Sequence, residues 1–423
     1  MAAAHRTQVC VVGGGPAGLT LALELARRSV AVTVVEQSAR FDRSFRGESI
    51  SPDSVWLLDR MGLLDKVRDQ TLETHHMEIM ENGRTVLSAD FAAFDQPSPY
   101  PMELPQPPLL TALTEEASAL PGFKLVRKAA ATGLLHDADG RVAGVRCTGP
   151  DGPFEVHAAL TVGADGRFSK VREMSGLAYE KTPLERDFVW FKVPRPAAWD
   201  GHTYRVRIVG DRHGLFIPTV PDLVRVGFNI PKGGLRDMRK EGVRALHARI
   251  DELAPEISTG VRDAVTKWSD TSMLDIFTTV VPQWSCPGLA LMGDAAHTLT
   301  PVLGQGVNHA ITDAVVLARL TSEALAHGGT GASPHAALDA ATQRFQQERE
   351  ASVAVARTLQ LRQERAFALS GRLSRALRRT VYRTVGSSTR AKGKIFARIY
   401  YPLQEAERTR PLDIAPLPVP SGQ

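Results

Sequence analysis

Apolar residues follow different spacings along this chain. Val9-Cys10-Val11-Val12 is a short unbroken run, residues 19–28 carry apolar positions at helical intervals, and Val30 opens a second run ending at Glu36. That order describes a strand, a crossover helix and a parallel strand. Residues 54–64 read as another helix, with Val55, Leu57, Leu58 and Met61 on its apolar side. Residues 75–105 alternate and contain Pro97, Pro99, Pro101 and Pro105, which suits strands and loops. A helix over 108–120 precedes strands at 123–126, 131–136 and 141–147, punctuated by Asp137-Ala138-Asp139-Gly140 and Asp151-Gly152.

Residues 185–230 are strand-rich, with runs at 189–193, 204–209, 215–218 and 224–230. A helical stretch over 239–253 and an extended one over 271–281 follow. Such strands, set between parts of a nucleotide-type fold, read as an antiparallel sheet covering a substrate. After an apolar strand at 289–292 the chain turns helical over 307–327 and 336–368, and from 411 onward it is Pro-rich and irregular. No internal repeat is evident.

Composition narrows the class. A chain of 423 residues, 43% hydrophobic and 23% charged, has the make-up of a soluble protein with two or more domains. The net charge of +5 is small for this length, and no nucleic-acid-binding signature accompanies it. Cys10, Cys147 and Cys286 are too scattered for a metal cluster, which fits a reducing compartment and leaves no metal expected. The N-terminus runs straight into the first strand rather than into a signal peptide, and no stretch reads as a membrane span. A cytoplasmic protein is the expectation.

Three motifs carry chemistry. Gly13-Gly14-Gly15-Pro16-Ala17-Gly18 lies between the first strand and its helix. There Gly13 serves a tight turn, Gly15 a close approach of backbone to pyrophosphate, and Gly18 close helix–strand packing. Glu36, at the end of the second strand, is placed to accept from a ribose hydroxyl. This motif alone does not separate FAD from NAD. The second motif is Asp165-Gly166, a turn after an apolar strand that suits a second loop beside the pyrophosphate. The third is Gly293-Asp294-Ala295-Ala296-His297, followed by Pro301 and Gly304-Gln305-Gly306-Val307-Asn308. Asp294 suits ribityl hydroxyls, and the helix opening near Gly306 aims its amides where a flavin ring gains negative charge. Asn308 could add a side-chain donor, and Pro301 would lie near the ring edge. His297 is a tempting base, but a loop-ordering hydrogen bond is the favoured reading.

Together these pieces resemble the group A flavoprotein aromatic hydroxylases, the para-hydroxybenzoate hydroxylase family. Arg46, in Phe45-Arg46-Gly47-Glu48, is similar to the family arginine that faces FAD or the entering nicotinamide, and Gln106 to its flavin-contacting glutamine. The resemblance implies an α/β protein, α+β overall. It would comprise a Rossmann-like, glutathione-reductase-like FAD-binding domain (1–75, 106–182 and 282–345), an inserted antiparallel β-sheet substrate domain (76–105 and 183–281), and C-terminal helices with an irregular tail (346–423). The implied activity is that of an FAD-dependent monooxygenase that consumes NADH or NADPH and O2. It would hydroxylate an aromatic or related electron-rich small molecule through a flavin hydroperoxide, in a role such as natural-product tailoring. The implied cofactor contacts are Gly13, Gly15, Pro16, Ala17, Gly18, Glu36, Arg46, Gln106, Asp165, Asp294, Gly304, Gly306, Val307 and Asn308. Pro301 and Arg46 are the candidate catalytic residues, without an obligatory side-chain base.

The chain departs from the family pattern at Thr300, where the first of two prolines is usual, at Leu303 and at His309, all on the substrate side. His202, Tyr204, Arg225 and His213 are candidate substrate contacts in the sheet. The rival readings are a flavin-dependent halogenase, a prenyl-type FAD reductase and a non-catalytic binder. Gly214-Leu215-Phe216-Ile217-Pro218 lacks the tryptophans of a halogenase. Residues 371–399 hold nine basic and no acidic residues, with Leu373, Leu377, Val381 and Val385 at four-residue intervals. A helix packed on the FAD domain with a solvated basic face is expected there, in preference to a membrane-surface contact. Oligomeric state stays open.

Overall fold

The computed structural model describes residues 3–41, 47–327, 333–368, 371–407 and 412–415. Its main sheet runs Ser285–Cys286, Leu289–Leu291, Gly152–Gly163, Ala3–Val12, Val32–Glu36 and Phe123–Arg127 in spatial order. The last five of these strands are parallel. Gly152–Gly163 is the strand that leads into Asp165, and it is 12 residues long. Its first half pairs antiparallel with Val142–Gly149, and its last residues pair with Leu289–Leu291. The strand thereby places the Asp165 turn beside the Gly13 turn. The helices Pro16–Arg27 and Gln305–His327 pack against each other over this sheet. Their buried faces share a core with Val9, Val11, Val34, Leu160 and Leu291.

A second sheet has seven strands, in the order Ser272–Leu274, Arg186–Pro194, Leu223–Pro231, Arg212–Thr219, Thr203–Val209, His76–Glu81 and Arg84–Asp90. It is antiparallel except at one junction, where Thr203–Val209 runs parallel to His76–Glu81. That junction joins strands far apart in sequence, so no hairpin turn dictates their direction. One face packs on the helices Arg244–Leu253 and Ser258–Ala264 through Phe191, Phe216, Val226 and Phe228. The other carries Trp190, Val206, Leu215 and Ile217 toward Val302 and Phe367. A three-stranded strap, Ser49–Ile50, Met102–Glu103 and Leu72–Glu73, lies between the two sheets in sequence.

Pro334–Ala368 is a single 35-residue helix that continues through the expected division at 345/346. The basic segment forms two helices, Arg372–Ser387 and Thr389–Tyr400. The first packs on Arg84–Asp90 of the second sheet rather than on the main-sheet unit. Arg378 is buried there and pairs with Glu81 at 2.7 Å. Leu373, Leu377 and Val381 face outward, 87%, 63% and 51% exposed, and of the apolar stripe only Val385 is half-buried against the second sheet. Among the described residues no helix is long and apolar enough to cross a membrane.

Candidate active site

The glycine turn has the conformation its sequence requires. Gly13 has φ +110°, and its amide donates to Val35 O at 2.8 Å. A Cβ there would lie 2.5 Å from Ala164 O and 2.9 Å from Asp165 Cα, so the second motif's backbone packs directly on the first. A Cβ on Gly18 would sit 1.9 Å from Gly13 O, which no side chain tolerates. Gly15 caps the helix that opens at Pro16, leaving amides of its first turn for an anion. The buried Glu36 carboxylate accepts from Gly14 N at 2.6 Å and Ser38 N at 2.8 Å, which fixes it at the mouth of the turn.

The third motif meets the first through small residues. Gly293 has φ +56°, and a Cβ on it would come within 3.4 Å of Ala17 Cβ and 3.5 Å of Ala310 Cβ. Asp294 follows at the C-terminal end of the strand Leu289–Leu291. The ring-side residues also converge. A Cβ on Gly47 would lie 2.8 Å from Gln106 Nε2 and 3.2 Å from Val307 Cβ, and one on Gly304 3.2 Å from Ser49 Cβ. Gly306 opens the helix Gln305–His327 with nothing within 4 Å of where its Cβ would be. Arg46 lies outside the described residues.

Two expected ligand contacts are committed within the protein. The Asp165 carboxylate accepts from Ser169 Oγ, Lys170 N at 2.7 Å and Val171 N at 3.0 Å, capping the helix Lys170–Ser175. Its backbone, rather than its carboxylate, faces the glycine turn. The Asn308 side chain accepts from Ser51 N at 2.8 Å and donates to Gly304 O at 2.7 Å and Ser49 O at 3.3 Å. It therefore ties the strap to the ring-side helix instead of offering a donor to a ring. A short polar side chain at a turn reads the same in sequence whether it caps backbone or binds ligand.

His297 orders its loop through a hydrogen bond, as its position suggests. Its Nε2 lies 2.7 Å from Asp313 Oδ2, which also accepts from Gly293 N at 2.9 Å. Asp313 Oδ1 accepts from Arg349 Nε at 2.7 Å, and Arg349 Nη2 lies 2.9 Å from His309 Nδ1. Burial pushes the Asp313 carboxyl up, but His297 and Arg349 more than reverse this and hold it below the ordinary range. Burial, then the neighbouring Arg349 and His297, lower His309 to about 3, so it is neutral. Arg172, also buried, joins the second and third motifs by donating to Ala295 O at 2.8 Å and Arg167 O at 3.2 Å. Asp313, Arg349 and Arg172 were not singled out in sequence. The one signal for Asp313 is an acid inside an apolar helical stripe.

The substrate-side candidates separate. Arg225 Nη2 donates to Ser49 Oγ and Glu103 Oε2, each at 2.8 Å, and its guanidinium lies 5.3 Å from the Trp190 ring centroid. Lys192 Nζ pairs with Glu48 Oε2 at 3.1 Å. These contacts bind the second sheet to the strap. Burial raises Glu103 to about 7 against the pull of Arg225. Tyr204 joins the apolar face beside Val206. His213 is enclosed by Phe188 and Phe367, and His202 is exposed and stacks on His75.

A dinucleotide cradle fits these residues. The turn excludes Cβ atoms where backbone must approach phosphate, a buried acid stands at its mouth, and a helix N-terminus is open across from Gln106. Two helix N-termini over one parallel sheet, with a second sheet across the ring side, define a dinucleotide-binding flavoprotein fold. The model of the FAD binding domain family matches residues 6–356. The chain belongs to this family, among the FAD-dependent monooxygenases of para-hydroxybenzoate hydroxylase type. It is 36% identical over 397 residues to 6-methylpretetramide 4-monooxygenase of Streptomyces rimosus, covering 93% of this chain and 92% of that protein. Protoasukamycin 4-monooxygenase of Streptomyces nodosus subsp. asukaensis is 27% identical over 339 residues, covering 77% of this chain and 82% of that one. OxyS anhydrotetracycline hydroxylase from Streptomyces rimosus superposes with a TM-score of 0.72 at 25% identity, over 93% of this chain and 76% of that one. The cofactor is FAD, and NAD(P)H is the family's electron donor. A small molecule and O2 are the co-substrates. The halogenase alternative finds no support among these relatives.

Proposed function

We propose that this monooxygenase hydroxylates a polycyclic phenolic or related electron-rich ring system of polyketide type, as a tailoring step in antibiotic biosynthesis. The observation that carries this reading is the end-to-end likeness to 6-methylpretetramide 4-monooxygenase, at 36% identity over 92% of that protein. The second sheet supports it. Its inner face combines Trp190, Val206, Leu215 and Ile217 with a polar end at Arg225 and Lys192. An apolar wall bearing one indole, with a few oriented polar groups at its end, suits a flat ring system carrying oxygen substituents.

In this reading, bound FAD supplies electron transfer from NAD(P)H to O2 and the insertion of one oxygen atom. The chain's own residues bind, orient and exclude water. Amides at the start of Pro16–Arg27 hold the pyrophosphate, and Glu36 takes the ribose. Asp294 takes the ribityl hydroxyls. Gly47, Gln106 and Val307 would frame the ring, and amides at the N-terminus of Gln305–His327 would stabilise the negative charge it gains on reduction. Pro301 shapes the opposite approach, and the apolar face of the sheet keeps water from the reacting carbon.

The test is a screen of polycyclic phenols that follows NAD(P)H consumption together with product mass. A gain of one oxygen is expected; a gain of halogen or of two hydrogens would replace this reading. Asp294→Ala should cut FAD occupancy of the purified protein at least about tenfold, the loss of one strong charge-assisted contact. Full flavin retention with normal turnover would remove Asp294 from the site.

A further inference from the structure

We propose that Gln360 is a positioning residue that fixes the Pro301 loop, doing through hydrogen bonds what a proline at position 300 would do through stiffness. This rests on the reading that Pro301 borders the flavin ring. Gln360 lies within Pro334–Ala368 and is fully buried. Its Oε1 accepts from Thr300 N at 3.2 Å, and its Nε2 donates to Thr300 O at 3.1 Å and to Val302 O at 2.8 Å. The three bonds grip the backbone on both sides of Pro301.

The loop needs an outside grip. Leu303 has φ +65° and Gly304 φ +61°, so two successive residues are left-handed, and the first of them has a side chain. Such a conformation persists only where surrounding structure over-determines it. Within the loop, Gly304 N donates to Pro301 O at 3.1 Å, and Gln305 Nε2 to Leu303 O at 2.9 Å. Asn308 Nδ2 holds the far end of the loop at Gly304 O, 2.7 Å away, and Gln360 is the hydrogen-bonding anchor for the backbone around Pro301 itself. Thr300 offers the N–H that a proline would lack, and that N–H is the one Gln360 accepts. Thr300 and Gln360 therefore form a matched pair.

The experiment compares hydrogen–deuterium exchange of the Gly304 amide, with the visible spectrum of bound FAD, in wild-type, Gln360→Met, Thr300→Pro and doubly substituted proteins. Gln360→Met should speed Gly304 exchange roughly tenfold or more, the equivalent of about one buried hydrogen bond, and shift the flavin bands. Amides of the strand Ala3–Val12 should stay unchanged. Adding Thr300→Pro should return Gly304 exchange to within about threefold of wild type, because proline removes the freedom that Gln360 suppresses. Unchanged exchange in Gln360→Met, an equal rise throughout the FAD unit, or no rescue by Thr300→Pro would overturn the assignment. If Gln360→Met does not accumulate, Thr300→Pro alone decides: retained protection supports the pairing, and lost protection refutes it. Colourless wild-type protein would sink the functional reading and leave the exchange comparison standing.

Discussion

Replacing Asp313 with Asn probes the hub on which the Gly293 turn rests. Asp313 is fully buried and receives three donors, from Gly293 N, His297 and Arg349. Asparagine keeps the volume but removes the charge and turns one acceptor into a donor. The Arg349 guanidinium, 6% exposed, then lies buried without its counter-ion. Removing one partner of a buried ion pair costs about 3–5 kcal/mol. Unfolding of the apo-protein by denaturant should show a loss in that range. FAD affinity should fall at least about tenfold, because the turn carrying Asp294 loses its anchor. Adding Arg349→Met should recover most of the stability, since a neutral packed pair avoids the stranded charge. The pH dependence has a definite sign. A carboxyl held below its ordinary value of 3.8 gives stability that is present above that pH and is lost as pH falls through the lowered value. The gap between wild type and Asp313→Asn should therefore be constant near neutrality and close only in acid. A change below about 0.5 kcal/mol with unaltered FAD affinity would refute the hub.

Gly18→Ala should cost at least about 3 kcal/mol or abolish soluble flavoprotein, because its Cβ would meet Gly13 O at 1.9 Å; yellow protein of normal yield would contradict the packing. Burial raises Glu103 from 4.5 to about 7, so the folded state binds its proton more tightly than the unfolded one. Relative to Glu103→Gln, wild type should lose on the order of 3 kcal/mol as pH rises between those values. Parallel unfolding titrations from pH 5 to 8 that ran flat in both proteins would contradict this.

What sequence made legible was local. Gly13, Gly18 and Glu36 announce a nucleotide turn because strand, turn and helix adjoin within thirty residues, and each glycine has one steric reason to be there. The spacing also located most strands of the second sheet, but not their order. The parallel pairing of His76–Glu81 with Thr203–Val209 depends on contacts over a hundred residues apart. The same distance hid the supports of the site. Arg349 and Gln360 read as ordinary polar positions on a long helix, and each acquires meaning from a partner 36 or 60 residues earlier. Asp165 and Asn308 misled in the opposite way, since a carboxylate or amide beside glycines suits a ligand as well as a cap. Leu373, Leu377, Val381 and Val385 recur at four-residue intervals, but the first three face outward because Arg378 and Tyr382, with the half-buried Val385, supply the packing face.

The most direct test of the account is turnover under 18O2. The purified protein, carrying FAD and supplied with NAD(P)H and a polycyclic phenol that accelerates its oxidation, should release product bearing one atom of 18O. Product without the label, or NAD(P)H oxidation that yields hydrogen peroxide alone across the phenol panel, would contradict it.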